Sequence, residues 1–257
     1  MQSVAGKYDI VITGTTQMHD ILNALAPKYP NQKFIIYDDV VKQPNVASIV
    51  YKQNEGSYLA GALAGLVTTN KAKFPNATGS KVIGLVGGMD IPVINDFVVG
   101  FKKGVSVVDP SIQVKVSYVG NFTDSNKGYD QAKLMYDQGA DVVFQVAGGA
   151  GIGVLKAAAA AKRYAIGVDS NQNAIQPGFV LASMEKKIGD SLVSAVNDAV
   201  AGKLKYGETT QYGLANKGVG LDFANNSNIV PADIQTKVDD YANQVATGKI
   251  QVPTVLQ

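Results

Sequence analysis

The chain has 257 residues, 46% of them apolar and 17% charged, with 23 basic and 21 acidic side chains scattered along it for a formal net charge of +2. Such a chain can bury a large core as one large α/β domain or two smaller lobes, which excludes disordered and collagen-like classes, and its balanced charge excludes a phosphate-tracking surface, so no nucleic acid is expected as a partner. Cysteine is absent and His19 is the single histidine, so disulfides, thiol nucleophiles and thiolate metal sites are removed, and with them most hydrolytic and metal chemistry.

Short apolar runs bounded by turn residues alternate with helical patterns along the whole chain. The predicted strands are YDIVITG (8–14), KFIIYDD (33–39), VASIVYK (46–52), KVIGLVGG (81–88), IQVKVSYVG (112–120), DVVFQVAG (141–148), YAIGVD (164–169) and FVLASM (179–184). Helical periodicity fits 17–29, 55–69, 93–106, 127–138, 151–162, 186–202 and 231–247. Strands alternating with helices of this length predict α/β architecture with parallel sheets. His19 falls at the start of the first helix and reads as a solvated helix residue.

Polar, turn-rich stretches mark the connections. TTNKAKFPNATGS (68–80) reads as a link between two lobes, with further breaks near 182–187 and 203–210. The expected division is 1–78 plus 186–205 for the first lobe, 79–185 for the second, and 206–257 for a C-terminal hinge and capping segment. That last segment holds a short strand near Gly218–Leu221 and a helix opened by Val230-Pro231. Two such lobes joined by three crossings predict a ligand cleft at the carboxyl ends of both sheets.

The run QVAGGAGIGV (145–154), followed by Asp169 at the end of YAIGVD, invites a nucleotide-binding reading. Its glycines at 149, 151 and 153 follow a strand and open a helix, but they are spaced G-x-G-x-G where the dinucleotide fingerprint requires G-x-G-x-x-G. Two readings stay open: small residues that let a helix pack closely on a sheet, or a missing side chain that lets a ligand approach the backbone.

Taken together, KFIIYDD, NVASIVYKQNEGSYLAGALAG, VIGLVGGMDIPVINDFVVGFKKGV, DQGADVVFQVAGGAGIGV, AIGVDSNQ, ASMEKKIGD and the closing GVGL and KIQVP resemble the basic membrane protein family, the purine nucleoside receptor lipoproteins of ABC transporters. The resemblance runs in family order over nearly the whole chain. It implies a type I periplasmic-binding-protein fold of two hinged parallel-sheet lobes, a purine nucleoside as ligand, an ABC permease as partner, no cofactor and no catalytic residue. By the same resemblance Asp38 is a first-lobe carboxylate for sugar hydroxyls, Phe122 in VGNFTD stacks on the base, Gly148 admits the ribose close to the main chain, and Asp169 with Lys186 completes the hydroxyl contacts. Against these roles stand plainer ones: Asp38 or Asp39 ending a strand in an Asx turn, Phe122 as core under a loop, Lys187 rather than Lys186 facing inward from a helix, and Phe97 packing within the second lobe.

The residue types suit that chemistry. Vicinal ribose hydroxyls donate to a carboxylate and accept from an ammonium, in charge-assisted bonds of roughly 1.5–3 kcal/mol each, and stacking on a base adds about 1–3 kcal/mol.

Family members begin with a lipoprotein signal, a first strand and a DKSFNQ-like loop, none of which precedes MQSVAGKYDI here. A first lobe incomplete at its N-terminus is therefore expected, with a sheet edge open to self-association, weakened binding, and membrane attachment only through a lipid anchor that this chain does not carry. The competing functions are a ligand-sensing regulator of the same fold and, more remotely, a Rossmann-type nucleotide-dependent enzyme.

Overall fold

The computed structural model describes residues 1–256. By their internal packing they form two compact units, Met1–Lys52 with Lys187–Gly218, and Gln53–Lys186 with the chain from Val219 onward.

The first unit is a four-stranded parallel sheet. Its strands are β1 (Ile10–Gly14), β2 (Lys33–Tyr37), β3 (Val46–Tyr51) and, late in the chain, β9 (Thr209–Tyr212), in the order β1-β2-β3-β9. Val11, Phe34 and Val46 are register partners on one face, and they share a core with Leu22 and Leu25 of α1 (His19–Leu25). Ala5, from the N-terminal turns, closes the same core. On the opposite face Tyr51 donates to or accepts from Ser191 of α6 (Ile188–Val200), with oxygens 2.5 Å apart.

The second unit is a six-stranded sheet in the order β10-β8-β7-β6-β4-β5, parallel except for β10. The strands are β4 (Val82–Gly87), β5 (Gln113–Tyr118), β6 (Val142–Val146), β7 (Tyr164–Asp169), β8 (Val180–Lys186) and β10 (Val219–Asp222). Successive strand residues face opposite ways. Val143 therefore joins the core under α4 (Ser125–Asp137) and α5 (Gly151–Ala161), while Phe144 packs its ring against Phe97 and Phe101 of α3 (Pro92–Val108). Helices on both faces explain why these strands read as unbroken apolar runs. α7 (Ala232–Ala246) sets Tyr241 edge-on to Tyr58 of α2 (Gln53–Thr69).

Two features differ from the sequence reading. The stretch 68–80 is no link between units. It is held inside the second unit by the buried Asp141 carboxylate, which accepts from Thr68 Oγ1 (2.6 Å), Thr78 N (2.6 Å) and Gly79 N (3.0 Å). The first division accordingly falls after Lys52, since α2 packs on α3 at backbone distance: a Cβ at Gly61, Gly100 or Gly104 would overlap a carbonyl of the facing helix. The segment 206–257 is likewise divided, giving β9 to the first sheet and β10 and α7 to the second unit. No helix among the described residues is long and apolar enough to cross a membrane.

Candidate functional site

The carboxyl edge of the six-stranded sheet collects most of the predicted site residues. Lys186 ends β8, Asp169 ends β7, Gly148 follows β6, and Phe122 lies in the loop after β5. Strand order makes β8, β7 and β6 neighbours, with β4 between β6 and β5, and Asp169 is in register with Glu185. Open α/β sheets bind ligands at this edge because loops there can vary while the strands hold position.

Lys186 differs from its expected setting. It is the last residue of a strand, paired with Val219 of β10, and α6 begins only at Ile188. The alternation of β8 therefore turns Lys186 and Lys187 to opposite environments: Lys186 is buried and Lys187 is exposed. The Lys186 side chain is 4% exposed, with its Nζ 3.5 Å from Asp169 Oδ1, whose side chain is 47% exposed. The same ammonium lies 5.6 Å from the centroid of the Phe97 ring, within cation–π range. Phe97 itself is buried in the second unit. A desolvated cation pinned between an aromatic face and a half-exposed carboxylate presents one anionic group outward on a rigid base, suited to a neutral polyol.

Asp169 holds a left-handed backbone (φ 66°), a conformation more often taken by glycine, asparagine or aspartate. The loop that follows is fixed by Gln172, whose Oε1 accepts from Val168 N (3.0 Å) and from Gln145 Nε2 (2.6 Å), and by Ser183 Oγ, which accepts from Gln172 N (2.9 Å). These supporting polar residues were not singled out in the sequence, because their role depends on contacts between strands.

Phe122 is half-buried and its main chain is secured on both sides. Its carbonyl accepts from Ala150 N (3.0 Å), while Gly120 N donates to Gly88 O (2.7 Å). The Asn121 side chain accepts from Thr123 N (2.9 Å) and Asp124 N (2.8 Å), and Asp124 then caps α4 by accepting from Lys127 N (3.0 Å). The phenyl ring rests on Gly88, where a Cβ would overlap ring carbons. Gly148 has φ 55° and its missing Cβ would lie 3.5 Å from Phe122 Cβ.

The remaining glycines of QVAGGAGIGV have packing roles. A Cβ at Gly153 would overlap the Ser125 carbonyl of α4, and one at Gly151 would overlap the Gln145 side chain. The nucleotide-loop reading of these two is thereby replaced by helix and side-chain packing.

Asp38 stands in the first unit, directly after β2, with φ 61° and its N–H donated to Ile49 O (2.8 Å). Its neighbour takes the local capping role instead: Asp39 Oδ1 accepts from Val40 N (2.7 Å) and Asp39 Oδ2 lies 3.1 Å from His19 Nδ1. His19 is thus paired, rather than simply solvated. Among the described residues no group of three His, Cys, Asp or Glu side chains could hold a metal.

A further polar chain at the same carboxyl edge was missed. Tyr118, ending β5, donates to Asn95 Oδ1 (2.5 Å), and Asn95 Nδ2 donates to Asp90 Oδ1 (2.8 Å). Burial, with the nearby Asp90 charge, raises the Tyr118 hydroxyl above its usual pKa.

Known proteins resemble this chain in sequence and fold. The family model described as ABC transporter substrate-binding protein PnrA-like covers residues 4–255. A Listeria monocytogenes protein called CD4+ T-cell-stimulating antigen is 34% identical over 98% of this chain and 72% of its own length. A Lactococcus lactis protein named ABC transporter nucleoside-binding protein BmpA is 35% identical over 92% of this chain and 69% of its own. Among solved structures, an ABC transporter solute-binding protein from Aeropyrum pernix superposes with a TM-score of 0.86 at 26% identity, covering 98% of this chain and 79% of that one. The fold is the type I periplasmic-binding fold. The chain belongs to the Bmp family of PnrA-like ABC transporter substrate-binding proteins.

Proposed function

We propose that this protein binds a purine nucleoside outside the cytoplasm and delivers it to an ABC permease, with no covalent step of its own. The observation that carries the reading is the placement of Lys186, Asp169, Gly148 and the Phe122 ring along one carboxyl edge of a single parallel sheet. Phe122 supplies a flat apolar face for the base. Asp169, anchored by Lys186, accepts from ribose hydroxyls, and the bare backbone at Gly148 lets the sugar come close. Asp38 of the first unit is assigned a further sugar hydroxyl. Its left-handed strand-end conformation matches that of Asp169. The Lactococcus relative, nucleoside-binding by name, supports the ligand class.

Self-association through the first unit is part of the same proposal, since Ile12 of β1 and Val193 and Val200 of α6 are exposed there. Membrane attachment through a lipid, as in the lipoproteins of the resemblance, is another part.

Thermal shift tests the ligand class. Adenosine, guanosine or inosine at about a hundred times its Kd should stabilise the protein by about 2.7 kcal/mol, raising Tm by roughly 5–10 °C, while NAD at the same concentration should leave it unmoved. A shift with NAD and none with nucleosides would overturn the proposal.

A further inference from the structure

We infer that Gly88 is a positioning residue for the stacking ring: the absence of a side chain there sets where the Phe122 phenyl lies, and therefore how a base stacks on it. The inference rests on the nucleoside reading of the site.

The main chain around Phe122 has little freedom left. Hydrogen bonds from Ala150 N to its carbonyl, from Gly120 N to Gly88 O, and from Thr123 N and Asp124 N to the Asn121 side chain fix the loop from 120 to 124. Gly88 is tied in turn, since its N–H donates to Val146 O at 2.9 Å. With both backbones held, the ring position depends on the side-chain torsions of Phe122 and on what the ring rests against.

It rests against Gly88. A methyl at 88 would overlap Cδ1 and Cε1 of Phe122, and Cγ would lie 3.2 Å away. The three atoms nearest to that methyl are all ring atoms, and the backbone at 88 lies outside the left-handed region that excludes alanine. A side chain whose torsions can rotate yields to such a methyl, whereas a backbone carbonyl does not. Gly88→Ala should therefore leave the fold standing and displace the ring. This separates Gly88 from Gly100, Gly104 and Gly153, where the missing Cβ faces main-chain carbonyls.

Nucleoside affinity measured by titration calorimetry on the full chain, for wild type, G88A, F122A and G88A/F122A, tests the idea. G88A should weaken binding about tenfold and F122A by about tenfold to a hundredfold, in line with the worth of base stacking. In the F122A background G88A should change affinity less than about twofold, because the ring through which it acts is gone. G88A binding within twofold of wild type, or losses that multiply in the double variant, would overturn the inference. If F122A itself leaves affinity unchanged, the site reading falls instead. Should G88A prove unstable, G88A/F122A must recover the melting temperature of F122A, since ring atoms are the nearest to the methyl; failure to recover would sink the inference too.

Discussion

In the second unit α2 buries every residue from Gln53 to Thr68 except Glu55, whereas in the first unit α6 buries only Ser191 and Ala195 and leaves Val193 and Val200 62% and 83% exposed. Both helices flank parallel sheets and both carry apolar faces. The difference lies in what covers them. α2 is held between its sheet, α3 and α7, with glycines at the α2–α3 crossing bringing backbones together, while α6 touches its sheet through small residues and Tyr51. The tightly closed unit is the one that carries Phe122, Gly148, Asp169 and Lys186, the residues of the proposed site, and a binding edge needs supports that do not shift. The looser unit keeps apolar surface and a short polar edge strand, features of a segment that opens locally at lower cost.

One substitution, made once in each unit, breaks or sharpens this contrast most strongly. Gly104→Ala puts a methyl into the Tyr58 carbonyl of α2, where neither main chain can yield, and should cost about 3 kcal/mol or more. Gly189→Ala in α6 meets nothing within 4 Å and should instead stabilise by about 0.5 kcal/mol, by restricting the unfolded chain. Thermal melts of the two variants should move in opposite directions. Equal changes would mean that the two units are packed alike.

Next in size is the ion pair at the binding edge. Asp169→Asn keeps the shape and tolerates the left-handed backbone, but takes one anionic partner from an ammonium that is almost fully buried. Because the carboxylate is half exposed, the stability lost should be about 1 kcal/mol rather than the several expected of a fully buried pair. Nucleoside affinity should fall at least tenfold, since the proposed charge-assisted contact to a hydroxyl loses its charge. A variant that binds as wild type does would remove Asp169 from the site.

Much of this arrangement was legible in the sequence. The apolar runs of β6 and β7 and the helix patterns between them specify a parallel sheet covered on both faces, and strand ends of such a sheet point to Asp169 and Gly148. β9 was not legible. Its residues TTQY are mostly exposed and carry no alternation, because an edge strand can be held by main-chain bonds alone, such as Lys52 N to Tyr212 O at 2.7 Å. Lys186 was assigned to the start of a helix because EKKIGDSLV fits helical spacing. Pairing with β10, distant in sequence, extends β8 through it. The glycines at 88 and 153 look alike in sequence, and only the partner that each faces, a ring in one case and a carbonyl in the other, separates the proposed positioning of the ring from helix packing.

A smaller effect tests whether the second unit is as well satisfied as it is well packed. The Tyr58 hydroxyl is buried in α2 with no hydrogen-bond partner among the described residues, and burial, with Tyr241 adding to it, pushes its pKa up to about 12. An unpaired buried hydroxyl costs free energy that a hydrogen atom in its place does not. Tyr58→Phe should therefore raise stability by about 0.5–1 kcal/mol while keeping the edge-on ring contact with Tyr241. A fall in Tm would show that the hydroxyl is satisfied, for example by water.

The smallest expected effect concerns pH, and it belongs to the surface of the second unit. Asp109, at the end of α3, accepts from Lys81 Nζ at 2.8 Å and from Ser111 Oγ and N at 2.7 and 2.8 Å. The Lys81 hydrogen bond first, then those of Ser111, lower its pKa from 3.8 to about 2. A carboxylate whose folded pKa is depressed contributes stability that is present above the unfolded value and lost as pH falls through the folded one. The contribution should thus be nearly full above about pH 4 and fade as pH falls through about 2, narrowing the difference between wild type and Asp109→Asn towards the acid end. Because the group sits at the surface, added salt should shrink the difference at neutral pH as well. Carbonyl NMR of Asp109 gives the sharper readout. A titration midpoint near 2 supports the Lys81 and Ser111 contacts, whereas a midpoint near 4 would show that the pair does not persist in solution and that even the better packed unit leaves its surface charges loosely held.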